Sequence, residues 1–446
     1  MLPATSNYLL KNGRVPTSLL EIKSIANLES TIPTTADRNF CLVDLEIAAG
    51  AIAQIIPRGK KPLSQLAGIP IVDLQESLIF PCFVDMHAHL DKGHIWERSP
   101  NPDGTFASAI ETVQADAQKH WNAEDVYRRM QFGLKCSYAH GSKAIRTHID
   151  SAGEQGTVSL AAFTALQAEW RDRLILQAVS LVSLDYFLTP EGEKLADRMA
   201  EVGGILGGVA YMNPDLDKQL DRVFSLAQER GLNLDFHTDE TDDPESTTLR
   251  EVAKTAIRHK FAGQIICGHC CSLAVQPPDL VTETLTLVKE ANIGIVSLPM
   301  CNLYLQDRQS GRTPRWRGVT LLHELNAAGI PVAVASDNCR DPFYGFGDRD
   351  VLEVLNMAAR IAHLDRPWEN WPRTVTTTPA DLMGLPNLGR IGVGLPADLI
   401  LFEARNFSEL LSRLQRDRTV VRQGKAIDTT PDYRELDDLL HEDERG

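Results

Sequence analysis

The sequence predicts an α/β fold in which a (β/α)8 barrel is inserted into a small β domain formed by both ends of the chain. Eight short apolar runs alternate with longer amphipathic segments in the middle of the chain, and this alternation is typical of β/α units. Eight such units favour a barrel, whereas six or fewer would favour a doubly wound sheet. Short β segments separated by Gly and Pro precede and follow this region.

The small β domain is predicted from residues 1–80 and 385–446, and the barrel from residues 81–384. Four β segments are expected before the barrel: Asn7–Leu10, Phe40–Ile47, Ala51–Ile56 and Ile71–Leu74. After it, a Gly/Pro turn leads into the apolar run that ends at Phe402, and Thr419–Lys425 has the pattern of a strand entering a turn. The acidic tail, Glu435–Gly446, is expected to be a solvated helix or a frayed end.

The eight barrel strands are predicted from apolar runs bounded by turn residues. The first covers Ser77–Met86 and leads into His89, and the others are Ala144–His148, Leu174–Leu181, Ile205–Tyr211, Leu232–His237, Ile265–His269, Ile293–Pro299 and Val332–Asp337. Helices are expected from segments with a helical repeat of apolar residues: Ala123–His140, Thr157–Arg171, Leu216–Arg230, Thr247–His259, Leu280–Ala291 and Val319–Ala328.

The composition excludes some classes of partner. The 446 residues are 43% hydrophobic and 24% charged, as in ordinary globular proteins, and the formal net charge is −15. Nucleic acid and anionic membranes require clustered Lys and Arg, so neither is expected as a partner. No apolar stretch approaches the roughly 20 residues of a membrane span, and Met1–Tyr8 lacks the pattern of a signal peptide. A cytoplasmic location is therefore expected, with the eight Cys as buried, reduced thiols.

Polar residues at the ends of the runs predict a metal site. His87 and His89 are two apart on a strand, so their imidazoles leave the first run in the same direction. His237, His269 and Asp337 end three other runs, and the functional groups of a barrel lie at the C-terminal ends of its strands. Three imidazoles and one carboxylate suit Zn²⁺ or Fe²⁺ with room for water. Taken singly, each residue has another explanation, because a strand-end His is often a hydrogen-bonded core residue and Asp337 could cap the next helix.

Five motifs follow one another between roughly Phe80 and Gly347: Phe83–Lys92, Arg146–Asp150, His237–Asp243, Gly268-His269 and Ser336–Tyr344. In this order they resemble the amidohydrolase superfamily, and within it the bacterial-type cytosine deaminase branch. The flanking β segments are similar, more loosely, to the small sandwich domain of that family. The resemblance therefore implies a TIM barrel with a small β-sandwich domain built from both chain ends.

The resemblance also implies a role for each polar residue. Four residues would hold one divalent metal ion, zinc or iron: His87, His89, His237 and Asp337. Glu240 would shuttle protons, His269 would orient the attacking water, and Asp337 would take a proton from that water. Binuclear relatives use a carboxylated Lys at the end of the fourth strand, and the run Ile205–Tyr211 has no Lys, so a single ion is expected.

Two departures from the branch fall where the substrate should bind. Cytosine deaminases carry a Gln at the end of the third strand, and Ser183 occupies that place here. A hydroxyl cannot make the two-point contact of a carboxamide. The residue after the metal-binding Asp is Asp in those enzymes and Asn338 here, as in branch members that act on aminotriazine-type rings. Phe343 is expected to form an aromatic wall for a flat ring, and His148 to contact substrate or to support the site.

These observations predict a metal-dependent aminohydrolase that deaminates a small nitrogen heterocycle, a cytosine-like pyrimidine or a related ring, and releases ammonia. Two alternatives stay open. The same site could hydrolyse a cyclic amide or remove an alkylamine from a triazine-type ring, because one activated water serves all these reactions. The second alternative is an inactive barrel that only binds a ligand, and the presence of both Glu240 and His269 argues against it. The expected partner is the small-molecule substrate, and homo-oligomerisation is left open.

Overall fold

The computed structural model describes residues 2–5, 7–21, 39–58, 68–368, 370–413 and 417–440. Within these ranges the strands are β1 (Tyr8–Pro16), β2 (Phe40–Ala48), β3 (Ala51–Pro57), β4 (Ile71–Asp73), β5 (Leu78–Pro81), β6 (Phe83–Ala88), β7 (Ser142–Asp150), β8 (Ile175–Leu181), β9 (Leu206–Ala210), β10 (Leu234–Thr238), β11 (Ile265–His269), β12 (Ile293–Ser297), β13 (Val332–Val334), β14 (Leu399–Phe402), β15 (Thr419–Arg422) and β16 (Lys425–Ala426). The α-helices are α1 (Phe106–His120), α2 (Ala123–Ala139), α3 (Gly153–Trp170), α4 (Pro190–Glu201), α5 (Leu216–Arg230), α6 (Thr248–His259), α7 (Pro278–Glu290), α8 (Pro299–Leu305), α9 (Leu322–Ala327), α10 (Val351–Ile361), α11 (Thr377–Leu382), α12 (Phe407–Leu411) and α13 (Asp437–Leu440). The predicted α/β class is confirmed.

The described residues fall into two compact units. The first takes its residues from 1–84, 137–143 and 351–430, and the second from 85–136, 144–350 and 431–446. The first unit therefore combines an N-terminal with a C-terminal part of the chain. The domain boundaries near residues 80 and 385 stay a prediction.

The first unit is organised around a mixed β-sheet. Its strands follow the order β16-β15-β14-β5-β1-β2-β3 in the part of the chain that the structure describes, and β4 pairs with β1. The pairs β1–β2 and β2–β3 are antiparallel, whereas β1 and β4 are parallel. Buried aliphatic side chains such as Val43, Leu45, Ile52 and Leu399 form its core. A division of this sheet into the two layers of a sandwich stays a prediction.

Strands β6 to β13, most of whose residues belong to the second unit, form two sheets with the orders β6-β7-β8 and β13-β12-β11-β10-β9. Backbone hydrogen bonds link them at both edges. Ile205 N donates to Ala178 O at 2.9 Å beside β8, and Asp337 N donates to His87 O at 2.9 Å beside β6. These links give a cyclic order of eight strands. Each link involves only a few hydrogen bonds, so a closed barrel stays a prediction at this point.

The helices of the second unit begin and end at residues with a local physical reason to do so. α5 spans Leu216–Arg230 as predicted and ends where Gly231 adopts a φ of 64°, in the left-handed region that favours glycine. The N-terminus of α6 is capped by Asp239, which lies nine residues before Thr248. Its carboxylate accepts hydrogen bonds from the backbone N–H groups of Thr248 and Leu249 at 2.7 and 3.0 Å. This cap also fixes the loop that follows β10.

Two sequence expectations differ from the structure. The sequence predicts one strand over Ser77–Met86, whereas the structure has two, β5 and β6, separated at Cys82. β5 pairs with β14 and β6 with β7, so the chain changes its partner inside one apolar run. The acidic tail is not fully solvated, because Leu436 is buried against Phe132 and Cys136. Residues 441–446 of the predicted tail lie outside the described residues.

The cysteines agree with the sequence analysis. All eight are buried and free. Burial raises the pKa of Cys82 to about 12, which keeps it as a thiol. Among the described residues, the helices are too short or too polar to cross a membrane.

Candidate active site

The four predicted metal ligands converge at the carboxyl ends of β6 and β10 and just after β13. The ligand atoms of His87, His89 and His237 all lie within 4.8 Å of one another, and so do those of His87, His269 and Asp337. His89 Nε2 is 3.1 Å from Asp337 Oδ1 and 3.4 Å from His237 Nε2. An ion bound at about 2.1 Å by a tetrahedral set would hold its ligand atoms about 3.4 Å apart. The spacing therefore suits a single ion.

The charge state of the three histidines also suits a cation. Burial lowers the pKa of His87, His89 and His237 well below the ordinary value for histidine. The imidazoles are consequently neutral at pH 7, which is the form that binds metals. Both ring nitrogens of His87 and the Oδ1 atom of Asp337 are buried without a hydrogen-bond partner among the described residues. Unpaired buried polar atoms are costly, and a bound cation would pair one nitrogen of His87 and the Oδ1 atom of Asp337. The residues therefore fit a divalent ion.

Buried side chains hold the ligand-bearing segments in place. Arg349 donates hydrogen bonds to the backbone carbonyls of His89 and Asp337. Asp85 accepts hydrogen bonds from the backbone N–H and the hydroxyl of Ser336, at 3.0 and 2.6 Å. Asp337 has a φ of 61°, a left-handed conformation that costs of order 1–3 kcal/mol outside glycine and is concentrated at functional sites. These contacts fix the backbone that carries two of the ligands.

Glu240, His269 and Asn302 form a second cluster beside the ligands. Glu240 Oε1 is 3.1 Å from His269 Nδ1 and accepts a hydrogen bond from Asn302 Nδ2 at 3.2 Å. Asn302 Nδ2 is also 3.0 Å from His269 Nδ1. Burial by itself lowers the pKa of His269, but Glu240, with smaller contributions from Asp337 and Asn302, outweighs burial and the pKa is raised. The cluster joins a carboxylate and an imidazole, the two groups most often used for proton transfer.

A cavity of about 200 Å³ opens at the two clusters. It is smaller than the roughly 300–1,000 Å³ typical of sites for drug-sized ligands, so it suits a small ring system. Residues of both clusters line one part of it, and apolar side chains line the rest, among them Phe106, Ile110, Leu181, Val209 and Phe343. A larger groove of about 1030 Å³ in the first unit has no comparable group of side chains in its described lining.

Comparisons with known proteins decide the family. A sequence model of the amidohydrolase family matches residues 128–427. The chain is 48% identical over 440 residues to a pterin deaminase from Rhizobium rhizogenes (strain K84 / ATCC BAA-868), and the match covers 98% of both chains. This chain belongs to the amidohydrolase family.

Two solved structures resemble this amidohydrolase. A 5-methylcytosine deaminase from Klebsiella pneumoniae, liganded with 5-fluorocytosine, has a TM-score of 0.79 and 26% identity, and the match covers 95% of this chain and 97% of that one. An N-isopropylammelide isopropylaminohydrolase from Burkholderia multivorans ATCC 17616 has a TM-score of 0.74 and 22% identity, and the match covers 95% of this chain and 98% of that one. At this identity the likeness shows the fold alone. The predicted superfamily and the enzyme class, an amidohydrolase-superfamily deaminase, are confirmed.

The end of β9 carries no lysine of the kind expected in binuclear relatives. Its last two residues are Val209 and Ala210, and Tyr211 and Met212 follow. The expectation of a single ion stays a prediction.

Three of the four predicted substrate residues line the cavity: Ser183, Asn338 and Phe343. The Phe343 ring packs edge-on against Phe106 at 5.6 Å, so the aromatic wall is present. The Ser183 hydroxyl donates to Asp185, and the Asn338 amide donates to Asp341 at 2.8 Å. These bonds leave each side chain only part of its hydrogen-bonding capacity for a substrate.

His148 is absent from the described lining of the cavity. Its ring centroid is 3.9 Å from that of His87, and its Nε2 atom is 3.8 Å from Asp235 Oδ1. Asp235 in turn forms a 2.8 Å ion pair with Arg146. This position behind a metal ligand favours support of the site over substrate contact.

The sequence analysis did not single out Asn302, Arg349 or the pair formed by Lys92 and Asp150. Asn302 lies in α8, which follows β12, and Arg349 lies in the segment between β13 and α10. Their contacts depend on the three-dimensional fold. No local pattern marks such residues. For Lys92 a signal was present, because it follows His89 by three residues in the first motif.

Proposed function

We propose that this amidohydrolase removes the amino group of a pterin, a 2-amino-4-oxopteridine, by hydrolysis and releases ammonia. The observation that carries the proposal is the 48% identity to the pterin deaminase of Rhizobium rhizogenes over 98% of both chains. The cavity of about 200 Å³ supports it, because its size and aromatic wall suit a flat, small heterocycle. A cytosine-like pyrimidine is less favoured, because Ser183 stands where cytosine deaminases carry Gln.

The proposal includes a closed (β/α)8 barrel formed by β6 to β13. The hydrogen bonds that link β8 to β9 and the segment after β13 to β6 support closure. The positions of His87, His89, His237 and His269 at the carboxyl ends of their strands also support it, since active sites of such barrels lie there. The division into a domain of residues 81–384 and a domain of residues 1–80 with 385–446 belongs to this proposal.

One divalent ion, zinc or iron, is assigned to His87, His89, His237 and Asp337. The neutral imidazoles and the unpaired Oδ1 atom of Asp337 support this assignment. When bound, such an ion lowers the pKa of a water ligand to about 7 and so supplies a nucleophile at neutral pH.

Glu240 moves the protons of the reaction. It takes one proton of the attacking water and delivers it to a ring nitrogen as the water oxygen bonds to the amino-bearing ring carbon. The second water proton, taken from that oxygen by Asp337, passes through Glu240 to the amino group, which leaves as ammonia when the C–N bond breaks and the C=O bond forms. Asp337 takes a proton from the attacking water, and His269 donates a hydrogen bond to its oxygen. The contacts of Glu240 with His269 and Asn302 support this role, because they orient its carboxylate.

Removal of an alkylamine from a triazine-type ring is the second candidate. One residue favours it: Asn338 follows Asp337, as in branch members that act on such rings. The same ion, acid and base would serve both reactions, so only the substrate separates them.

Ammonia release by the purified, metal-assayed protein tests the proposal. The panel consists of pterin, cytosine and an N-alkylaminotriazine. We expect one ammonia per pterin, the 2,4-dioxopteridine as product, and a kcat/KM for pterin at least about tenfold above the other rings. Binding of pterin without product, or faster release of alkylamine from the triazine, would contradict the proposal.

A further inference from the structure

Lys92 and Asp150 form an ion pair in the wall of the substrate cavity. Lys92 Nζ donates to Asp150 Oδ1 at 2.7 Å, and both side chains line the cavity. The lysine is only 5% exposed. Neither residue holds the ion or moves a proton in the mechanism above, so the pair has no role there.

Stability alone is a weak explanation for this pair. Lys92 is buried, whereas the Asp150 side chain is 34% exposed, so solvent weakens the attraction that has to offset the desolvation of the lysine. An ammonium group has three N–H donors, and among the described residues Asp150 is the acceptor that hydrogen-bonds Lys92. Lys92 therefore retains donors for a molecule in the cavity.

The ammonium group lies close to both the ion-binding residues and the aromatic wall. Lys92 lines the same cavity as His89 and Asp337, two of the proposed ligands. Lys92 Nζ is 5.7 Å from the centroid of the Phe343 ring. A flat ring that lies along Phe343, with its amino-bearing carbon at the ion-binding residues, therefore brings one edge towards Lys92.

We propose that the Lys92 ammonium group, aimed by Asp150, binds the ring oxo oxygen of the substrate and so selects oxo-substituted rings over 2-amino rings that lack this oxygen. The inference rests on the proposed function and deepens it. An ammonium group donates hydrogen bonds but cannot accept them, so it favours an oxo oxygen over an amino group at that edge. A site built around such a contact rejects analogues without it, because its buried polar group is left unpaired.

The test compares pterin with 2-aminopteridine, which lacks the 4-oxo group, as substrates of the wild type and of Lys92→Met. A hydrogen bond to a charged group supports an expected loss of about 10- to 150-fold in kcat/KM for pterin. For 2-aminopteridine the loss should be about threefold or less, because that contact is absent in both proteins. The ratio of kcat/KM for pterin to kcat/KM for 2-aminopteridine should therefore fall sharply in Lys92→Met.

Two further variants serve as controls. Lys218→Met removes a lysine from an exposed pair with Asp215 at 2.6 Å, and its kinetics should match the wild type. The double variant Lys92→Met/Asp150→Asn avoids an unpaired carboxylate if the single variant fails to fold, and it should lose the same ring preference. Metal content and the thermal midpoint are measured for every variant.

The outcomes distinguish a failure of the proposed function from a failure of the role proposed for Lys92. Equal losses on both rings, loss of the ion, or an unchanged kcat/KM for pterin would overturn the role of Lys92. No ammonia from pterin with the wild type would overturn the proposed function and this inference together. Pterin turnover with an unchanged ring preference in Lys92→Met would overturn this inference alone.

Discussion

Replacing Glu240 by Gln separates proton transfer from the other properties of the site. The amide has the size of the carboxylate, and its oxygen can still accept the 3.2 Å hydrogen bond from Asn302. It cannot carry a proton to the ring nitrogen or to the leaving amine. Because Glu240 is not one of the four proposed ligands, the bound metal should stay unchanged.

The expected magnitude follows from the contacts of Glu240. Loss of a general acid–base group typically lowers the rate about 10²–10⁴-fold, or roughly 2.7–5.4 kcal/mol of activation free energy. The carboxylate also lies 3.1 Å from His269 Nδ1 and raises the pKa of that imidazole. The substitution disturbs both groups, so we expect a loss of about 10³–10⁴-fold in kcat with KM changed by about threefold or less.

The assay is steady-state ammonia release from pterin together with metal analysis. Glu245→Gln is the matched control, because it makes the same change at an exposed position five residues further along the chain. Its kcat should equal that of the wild type. A near-normal kcat in Glu240→Gln with a full complement of metal would refute the proton-transfer role, and a parallel loss of metal would indicate a ligand instead.

Three further changes probe other parts of the account. Asn302→Ala should lower kcat about 5- to 100-fold with unchanged metal content, because Glu240 loses the hydrogen bond that orients its carboxylate beside His269. An unchanged kcat would show that this contact does not matter. Cytosine should be a poor wild-type substrate, with kcat/KM below about 10⁶ M⁻¹s⁻¹. Ser183→Gln should raise the kcat/KM for cytosine about 5- to 30-fold. Efficient cytosine turnover by the wild type would mean that the specificity positions are misassigned. Arg98→Met should destabilise the second unit by about 3–5 kcal/mol, because the buried carboxylate of Asp116 loses its ion-pair partner at 2.8 Å. Asp125 loses a 2.6 Å contact to Arg98 but keeps its pair with Arg129. Its thermal midpoint is compared with that of the exposed Arg366→Met, and equal midpoints would contradict the argument.

The secondary structure could be predicted where its cause is local. The bounds of α5 follow from an apolar repeat and from the glycine at its end, Gly231. The run Ser77–Met86 was wrongly predicted as one strand, because its division at Cys82 depends on partners far away in the chain, β14 and β7. Pairing partners of this kind leave no trace in the local alternation of apolar residues.

The candidate site was predictable where strand position alone brings side chains together. His87 and His89 share one strand, and the parallel order of β10 and β11 brings His237 and His269 beside each other. Asn302 and Arg349 could not be predicted, because each acts through atoms on other strands or loops. The positions of the residues that support a site depend on tertiary packing more than the positions of the metal-binding residues do.

Returning metal to the metal-free protein while measuring ammonia release from pterin tests the central claim most directly. We predict that activity rises in proportion to bound zinc or iron and reaches its maximum at one equivalent per chain, with His237→Ala inactive at every ratio. Full activity without metal, a maximum that requires two equivalents, or a metal-loaded protein that releases no ammonia from pterin would contradict the account.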